Sequence, residues 1–359
     1  MLSYDIKVNN LVKRYENSNI AAVRGISFEV KEGEFFGFLG PNGAGKSTTI
    51  KILTTLMSKS SGSVSIAGLN IDKEAQNIRK LIGVQSQETA LDLDLTGHEN
   101  LMLQGRLQHM SGQRLKERVN ELLRLVSLED AADKRAAFYS GGMKKRLDLA
   151  TSLIHNPKIL FLDEPTTGLD PQSRAAIWSY LKHLNREDGI TIFLTTQYLE
   201  EADKLCDRLS IIDHGQIVAQ GTPEEMKREI SADAVSITIA NGQGTAENGH
   251  AIATAKEVLS QIGDITEVID SDSASLTVYG KNGAFMVPNI VRALDNAEVK
   301  ISSISVSTPT LDDVFLKHTG RRIRTDGQQE GKESGITEIR RKRGLGLYFR
   351  RRKGEEGAA

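Results

Sequence analysis

Residues Gly40 to Thr48 read GPNGAGKST, a run of glycines followed by a lysine and two hydroxyl side chains. The spacing fits G-x-x-x-x-G-K-[ST], and its chemistry is the holding of a phosphate chain. Gly40, Gly43 and Gly45, with Pro41, Asn42 and Ala44 between them, let backbone N–H groups turn inward with no Cβ in the way. Lys46 supplies a cation for the β- and γ-phosphates, and the Ser47 hydroxyl is a ligand for Mg²⁺. From Thr48 the stretch TTIKILTTL has helical character, so a helix N-terminus adds its positive end.

Two further stretches carry complementary chemistry. KILFLDEPTTGLD, from Lys158 to Asp170, is an apolar strand that ends in two carboxylates. Neighbours on a strand point to opposite sides, so Asp163 and Glu164 are expected on opposite sides of its end. Asp163 can hold Mg²⁺ through water, and Glu164 can orient or deprotonate an attacking water. Alone, the segment also reads as a strand running into a solvated acidic turn; beside a phosphate loop the catalytic reading is the stronger. YSGGMKKRLDLA places Ser140, Gly141 and Gly142 at the start of another helix, whose free N–H donors suit an anion. One phosphate chain needs one cradle, so the second raises the question of which nucleotide it serves.

These groups need a scaffold. FFGFL, KILFLD, TIFLT and LSIID are short continuous apolar runs, the pattern of strands buried on both faces of a partly parallel sheet. Between the first two, roughly Gly97 to His155, apolar residues recur at three- and four-residue spacing, which predicts a helical insertion on an α/β core. GTPEEM marks a new start, with Thr222 as N-cap, Pro223 at the first helical position and Glu225 completing a capping box. Beyond it AVSITIA, AIATAKEVLSQI, ITEVI, SLTVYG, VPNIVRAL and KISSISVS give the order β-α-β-β-α-β, with Pro288 near the start of the second helix. That order predicts a small ferredoxin-like α+β module over 226–320, after an α/β unit over 4–225. Periodicity ends near Arg321, and the tail is expected to lack fixed structure or to be loosely helical.

Composition narrows the function classes. Apolar and charged fractions of 39% and 26% are those of an ordinary globular protein, and 359 residues leave room for two domains. No apolar run approaches the ~20 residues of a membrane span, and no leader pattern opens the chain, so a cytoplasmic address is the expectation. Twelve Lys/Arg against six Asp/Glu give residues 321–359 a balance of +6, which leaves −7 for 1–320 out of the formal −1. A basic nucleic-acid surface on the body is not indicated. The single cysteine, Cys206, reads as a small packed residue, the scattered histidines form no metal pattern, His214 reads as a turn residue and Trp178 as packing. In the tail, RRKRGLGLYFRRRKG flanks Tyr348 and Phe349 with eight basic residues; it reads as a solvated tail or as a segment resting on anionic lipid.

Taken in order, GPNGAGKST, YSGGM, ILFLDEP and TTGLD resemble the nucleotide-binding subunit of ATP-binding-cassette (ABC) transporters over about residues 4–225. With TTQYLEEAD and PTLDDVFLKHTG the resemblance extends to about residue 320 and narrows to exporter ATPases of the daunorubicin/doxorubicin-resistance type. It implies a P-loop NTPase fold with a helical subdomain at about 88–155, and ATP and Mg²⁺ as cofactors. It also implies a head-to-tail dimer in which Ser140, Gly141 and Gly142 touch the γ-phosphate held by the partner. Tyr139 and Met143 depart from the Leu and Gln usual there but leave the Ser-Gly-Gly donors intact.

By the same resemblance Tyr15 would stack on adenine with Val23 nearby, although Tyr15 also reads as an exposed strand aromatic. Gln87 would be the Mg²⁺-sensing loop glutamine, with Gln85 as competitor, and Asp170 would contact the opposite phosphate loop or simply cap the following helix. Gln197 stands where most such ATPases carry a histidine. Its amide can donate a neutral hydrogen bond to a γ-phosphate but cannot carry charge or shuttle a proton. The implied function is ATP hydrolysis driving efflux of a hydrophobic drug, lipid or similar substrate through a separate permease, at the cytoplasmic face of the membrane. The alternatives are an ABC ATPase acting on nucleic acid or ribosomes, and a regulatory nucleotide-binding module.

Overall fold

The computed structural model describes residues 3–16, 20–229, 233–239, 245–272, 275–280, 283–307 and 310–320. Residues Met1–Ile323 fall in one compact unit; residues 321–359, and with them the basic tail reading, lie outside the described residues.

β1 (Tyr4–Lys13) and β2 (Val23–Lys31) pair antiparallel, after which β3 (Phe35–Leu39) enters a different sheet and delivers the chain to α1 (Lys46–Leu53). β4 (Ser61–Ile66) and β5 (Leu69–Asn70) return to the first sheet, ordered β2-β1-β4-β5. This antiparallel sheet has no counterpart in the sequence reading, because its strands mix polar and apolar residues irregularly. α2 (Ala75–Leu81) leads into β6 (Ile82–Gln85), and then come the helices of the insertion, α3 (Gly97–Leu107), α4 (Gly112–Leu125) and α5 (Gly141–Ser152). β7 (Ile159–Asp163), α6 (Pro171–Arg186), β8 (Thr191–Thr196), α7 (Leu199–Leu205), β9 (Arg208–Asp213) and β10 (Gln216–Gly221) follow. They complete a six-stranded sheet ordered β10-β9-β3-β8-β7-β6, parallel except for the β10 hairpin, with His214 in its turn.

Strands β3, β7 and β8 are buried at every residue because both faces of this sheet are covered. Alternate side chains go to different cores. Phe35, Leu39, Leu160, Leu162, Ile192 and Leu194 join the helices of the insertion, whereas Phe36, Phe38, Ile159, Phe161 and Phe193 meet the antiparallel sheet. There the Phe28 ring of β2 stacks on Phe36 and Phe193 at 5.6 and 5.8 Å. Such burial, about 1.5–3 kcal/mol per large side chain, fixes the strand ends on which the chemistry stands. Cys206 is one of these packed residues: a Cβ on Gly37 would lie 2.6 Å from its sulfur, and burial pushes its thiol well above the usual range.

α8 (Pro223–Glu229) opens with the capping box, Thr222 and Glu225 exchanging bonds of 2.9 and 3.0 Å. β11 (Asp233–Ile239), α9 (Thr245–Ser260), β12 (Ile265–Asp272), β13 (Ser275–Gly280), α10 (Gly283–Asn296) and β14 (Ile301–Ser307) then form an antiparallel sheet ordered β12-β13-β11-β14. This is the split βαβ order, with its own apolar core around Val235, Ile237, Leu276, Val278, Ile290 and Leu294. α10 starts at Gly283, so Pro288 sits inside it rather than near its start. The last helix, α11 (Leu311–Thr319), returns Leu311, Val314 and Phe315 to the large core that the insertion helices share with the six-stranded sheet. The expected boundary after residue 225 is therefore bridged by packing, and one compact unit runs through both modules.

Candidate functional site

The parallel strands β3, β7 and β8 lie side by side in register, Leu39 beside Thr196 and Asp163 beside Thr195, so their C-terminal ends open onto one cleft. At the end of β3, Gly40 N–H donates to the Thr196 carbonyl at 3.2 Å. A Cβ on Gly40 would stand 2.3 Å from the Ile212 carbonyl, so only glycine lets the loop leave the sheet this close to β9. Gly45, at φ 109°, makes the left-handed turn that starts α1. The loop lines a cavity of about 310 Å³ with Ala22, Pro41, Asn42, Gly43, Gly45, Lys46, Ser47, Thr48, Gln87 and Glu164.

Lys46 is buried, and its Nζ is held by the carbonyls of Gly40 (2.7 Å) and Pro41 (3.2 Å) and by Glu164 Oε1 at 3.1 Å. Ser47 donates to Asp163 Oδ1 at 3.3 Å, and Thr195 donates to the same oxygen at 2.5 Å. Both carboxylates thus face the phosphate loop, contrary to the alternation expected at a strand end. The reason is local: Glu164 has φ 51°, a left-handed conformation held by its N–H donating to Thr195 O at 3.0 Å. A non-glycine residue pays of order 1–3 kcal/mol for such backbone, and here the turn brings a carboxylate to Lys46. Thr167 donates to its other oxygen at 3.3 Å.

Among the other residues singled out by the sequence, Gln197 follows β8 directly, is 2% exposed and sits next to the strand end that receives Gly40. Gln87 lines the cavity, whereas Gln85 is buried and donates to the Lys145 carbonyl at 3.1 Å, so the two glutamines separate by position. Tyr15 lies beyond the end of β1, not on a strand, and its hydroxyl meets Thr48 Oγ1 at 3.1 Å. Val23 is fully buried in the core against the antiparallel sheet; Ala22 is the neighbour that reaches the cavity. Ser140 and Gly141 are exposed and outside that cavity. Ser140 caps α5 by accepting from Met143 N–H at 3.2 Å, and Gly142 packs so closely on α6 that a Cβ would meet Ser173 Oγ at 2.7 Å. Asp170 caps α6, accepting from Ser173 N–H and Oγ at 2.9 and 2.6 Å, which holds its carboxyl below the usual range.

Several buried charged neighbours escaped the sequence reading. Glu201 on α7 is fully buried and accepts from Thr166 Oγ1 and Trp178 Nε1, both at 2.9 Å, so Trp178 packs and donates as well. Burial raises the Glu201 carboxyl, partly offset by these bonds. Lys145 and Asp148 sit on the buried side of α5; burial raises Asp148 to about 6 and lowers Lys145. A lysine and an aspartate three apart in an otherwise apolar helical face was the available signal.

A family model described as ABC transporter matches residues 23–167, and one described as the C-terminal domain of ATP-binding protein DrrA1-3-like matches 221–319. Daunorubicin resistance ATP-binding protein DrrA3 of Streptomyces coeruleorubidus is 40% identical over 89% of this chain and 98% of its own length. The chain belongs to the ABC transporter ATP-binding proteins. Linearmycin resistance ATP-binding protein LnrL of Bacillus subtilis is 36% identical over 89% of this chain and 99% of its own. A dimeric ATP-binding cassette solved with ADP and Pi is 31% identical, with a TM-score of 0.56 over 60% of this chain and 98% of that one. By family and fold this member is an ATP-binding P-loop NTPase and an ATP hydrolase of the exporter group. No helix among the described residues is long and apolar enough to cross a membrane.

Proposed function

We propose that two copies of this chain bind two ATP molecules between them and hydrolyse them to drive efflux through a separate membrane permease, at the cytoplasmic membrane face. The observation that carries this reading is the convergence of Lys46–Glu164 and Ser47–Asp163 at one cavity. Lys46 exchanges its Glu164 and carbonyl contacts for β- and γ-phosphate oxygens, which releases the Glu164 carboxylate to take a proton from water. Gln197, beside Gly40, donates a neutral hydrogen bond to the γ-phosphate. Tyr15 offers its ring to adenine; Val23, buried, offers no side-chain contact. Ser140 and Gly141, exposed at the start of α5, and the backbone of buried Gly142 serve the nucleotide of the second copy, and Asp170 stands close to that interface.

Ser47, Asp163 and, through its side chain, Gln87 are the residues that would hold Mg²⁺. Their hard oxygen donors fit the ion. Waters and substrate phosphates would supply its other ligands. When bound, Mg²⁺ neutralises charge on the phosphates. The named relatives are resistance proteins, and others at similar identity are Nod factor export ATP-binding proteins. They favour export of a hydrophobic drug, lipid or similar molecule over action on nucleic acid or ribosomes, and the site carboxylates favour turnover over a purely regulatory role. Purification of the Glu164→Gln chain with ATP and Mg²⁺ tests this: a trapped dimer that binds ATP without turnover is expected. A monomer with near-normal turnover overturns it.

A further inference from the structure

Gln87 and the Ser140–Gly142 helix start are far apart in sequence, yet three hydrogen bonds stitch their supports together. Lys145 Nζ donates to the Gln87 carbonyl at 2.5 Å. Gln85 Nε2 donates to the Lys145 carbonyl at 3.1 Å, and Ala90 N–H donates to Asp148 Oδ1 at 3.3 Å. The strip from Gln85 to Ala90 is therefore fastened to α5 at residues 145 and 148. Both anchoring side chains are buried, Lys145 9% and Asp148 4% exposed.

A buried ammonium is expensive unless it is paired and hydrogen-bonded. Asp148 is its main counter-charge, and Asp163 and Glu164 lie close enough to stabilise it further. The cation that grips the Gln87 carbonyl thus also feels the carboxylates of the nucleotide site. Ser86, Gln87 and Glu88 are themselves exposed, so burial of their own side chains does not hold the strip in place. Bonds between a charged donor and a buried carbonyl are roughly twice as strong as neutral ones, and removal of one partner leaves the other unsatisfied.

We propose that Lys145 is a positioning residue: it locks the loop bearing Gln87 to α5, so that the nucleotide cavity of one copy and the Ser140–Gly142 face it offers to the other are set as one body. The Gln85 amide and the Asp148 carboxylate make the lock resist rotation about a single bond. The proposal rests on the dimeric reading above, and it predicts that cutting the lock spares binding by one copy but impairs assembly and turnover.

The test measures three quantities for the full chain with Lys145→Met and with Lys145→Arg: affinity for a fluorescent ATP analogue, kcat, and ATP-driven dimerisation in the Glu164→Gln background. Lys145→Met should change nucleotide affinity less than about threefold, while kcat and the dimer association constant fall about tenfold or more. Lys145→Arg, which keeps the charged donor, should recover most of both. Gln85→Met removes the second stitch without touching a charge and should shift dimerisation the same way, about threefold; it stands in if Lys145→Met does not fold. Wild-type dimerisation and kcat in Lys145→Met, or in Gln85→Met should that variant alone be measurable, overturn the lock. Failure of the Glu164→Gln single variant to dimerise with ATP would instead strike the dimeric reading itself.

Discussion

The strand ends of the six-stranded sheet and the interior of the C-terminal sheet are both packed against helices, but they bury opposite chemistry. The first region encloses Lys46, Asp163, Glu164, Gln197 and Glu201. The second is filled by Val235, Ile237, Leu276, Val278, Ile290 and Leu294. Buried charge contributes little net stability even when paired, whereas apolar burial is the main favourable term in folding. The first region therefore trades stability for chemistry, and the second is built to hold its shape.

Substitutions can break that division. The largest effect is expected at Glu164: Glu164→Gln should lower steady-state phosphate release by about 10²–10⁴-fold, with the C-terminal core untouched. Leu276→Ala should do the reverse. It costs about 2–5 kcal/mol of unfolding free energy in a denaturant titration, with turnover per folded molecule unchanged. A loss of turnover there would mean that the C-terminal core acts on the site.

Asp148 sharpens the comparison through pH. Its folded value of about 6 lies above the ordinary 3.8. The native state therefore favours the protonated form, and the cost of ionising it grows as pH rises from the ordinary value through about 6. Asp148→Asn should remove that cost, so its stability relative to wild type should improve by about 2 kcal/mol between roughly pH 4.5 and 7.5. A parallel pair of stability–pH curves contradicts this. Gln197→Ala should lower kcat about tenfold, the effect of one neutral hydrogen bond of about 1.4 kcal/mol in the transition state, with ATP affinity nearly unchanged. The smallest effect is at the seam between the modules. Tyr279→Phe removes the bond to Asp313 Oδ1 at 3.2 Å and should cost about 1 kcal/mol, read as a small fall in unfolding temperature.

Much of this was legible from residues alone. Continuous apolar runs named the buried strands because no other element packs on both faces, and GPNGAGKST fixed a strand–loop–helix because glycine, lysine and serine at those places have few other uses. The β-α-β-β-α-β alternation gave the C-terminal topology. The antiparallel β1, β2, β4 and β5 were not legible, since irregular register shifts blur their alternation. Nor was Val23 as a core residue, or the start of α10 upstream of Pro288.

The sequence by itself determined which groups this protein carries: a glycine-rich loop with Lys46 and Ser47, two carboxylates at one strand end, a Ser-Gly-Gly helix start and a glutamine directly after a buried strand. Composition and local spacing decide such features within a few residues of each other. Only the tertiary structure decided how they meet. The left-handed backbone at Glu164 turns both carboxylates to the loop, and buried Lys145 ties residue 87 to a helix some sixty residues away in the chain. Both depend on register and burial between distant segments, which local sequence pattern does not encode.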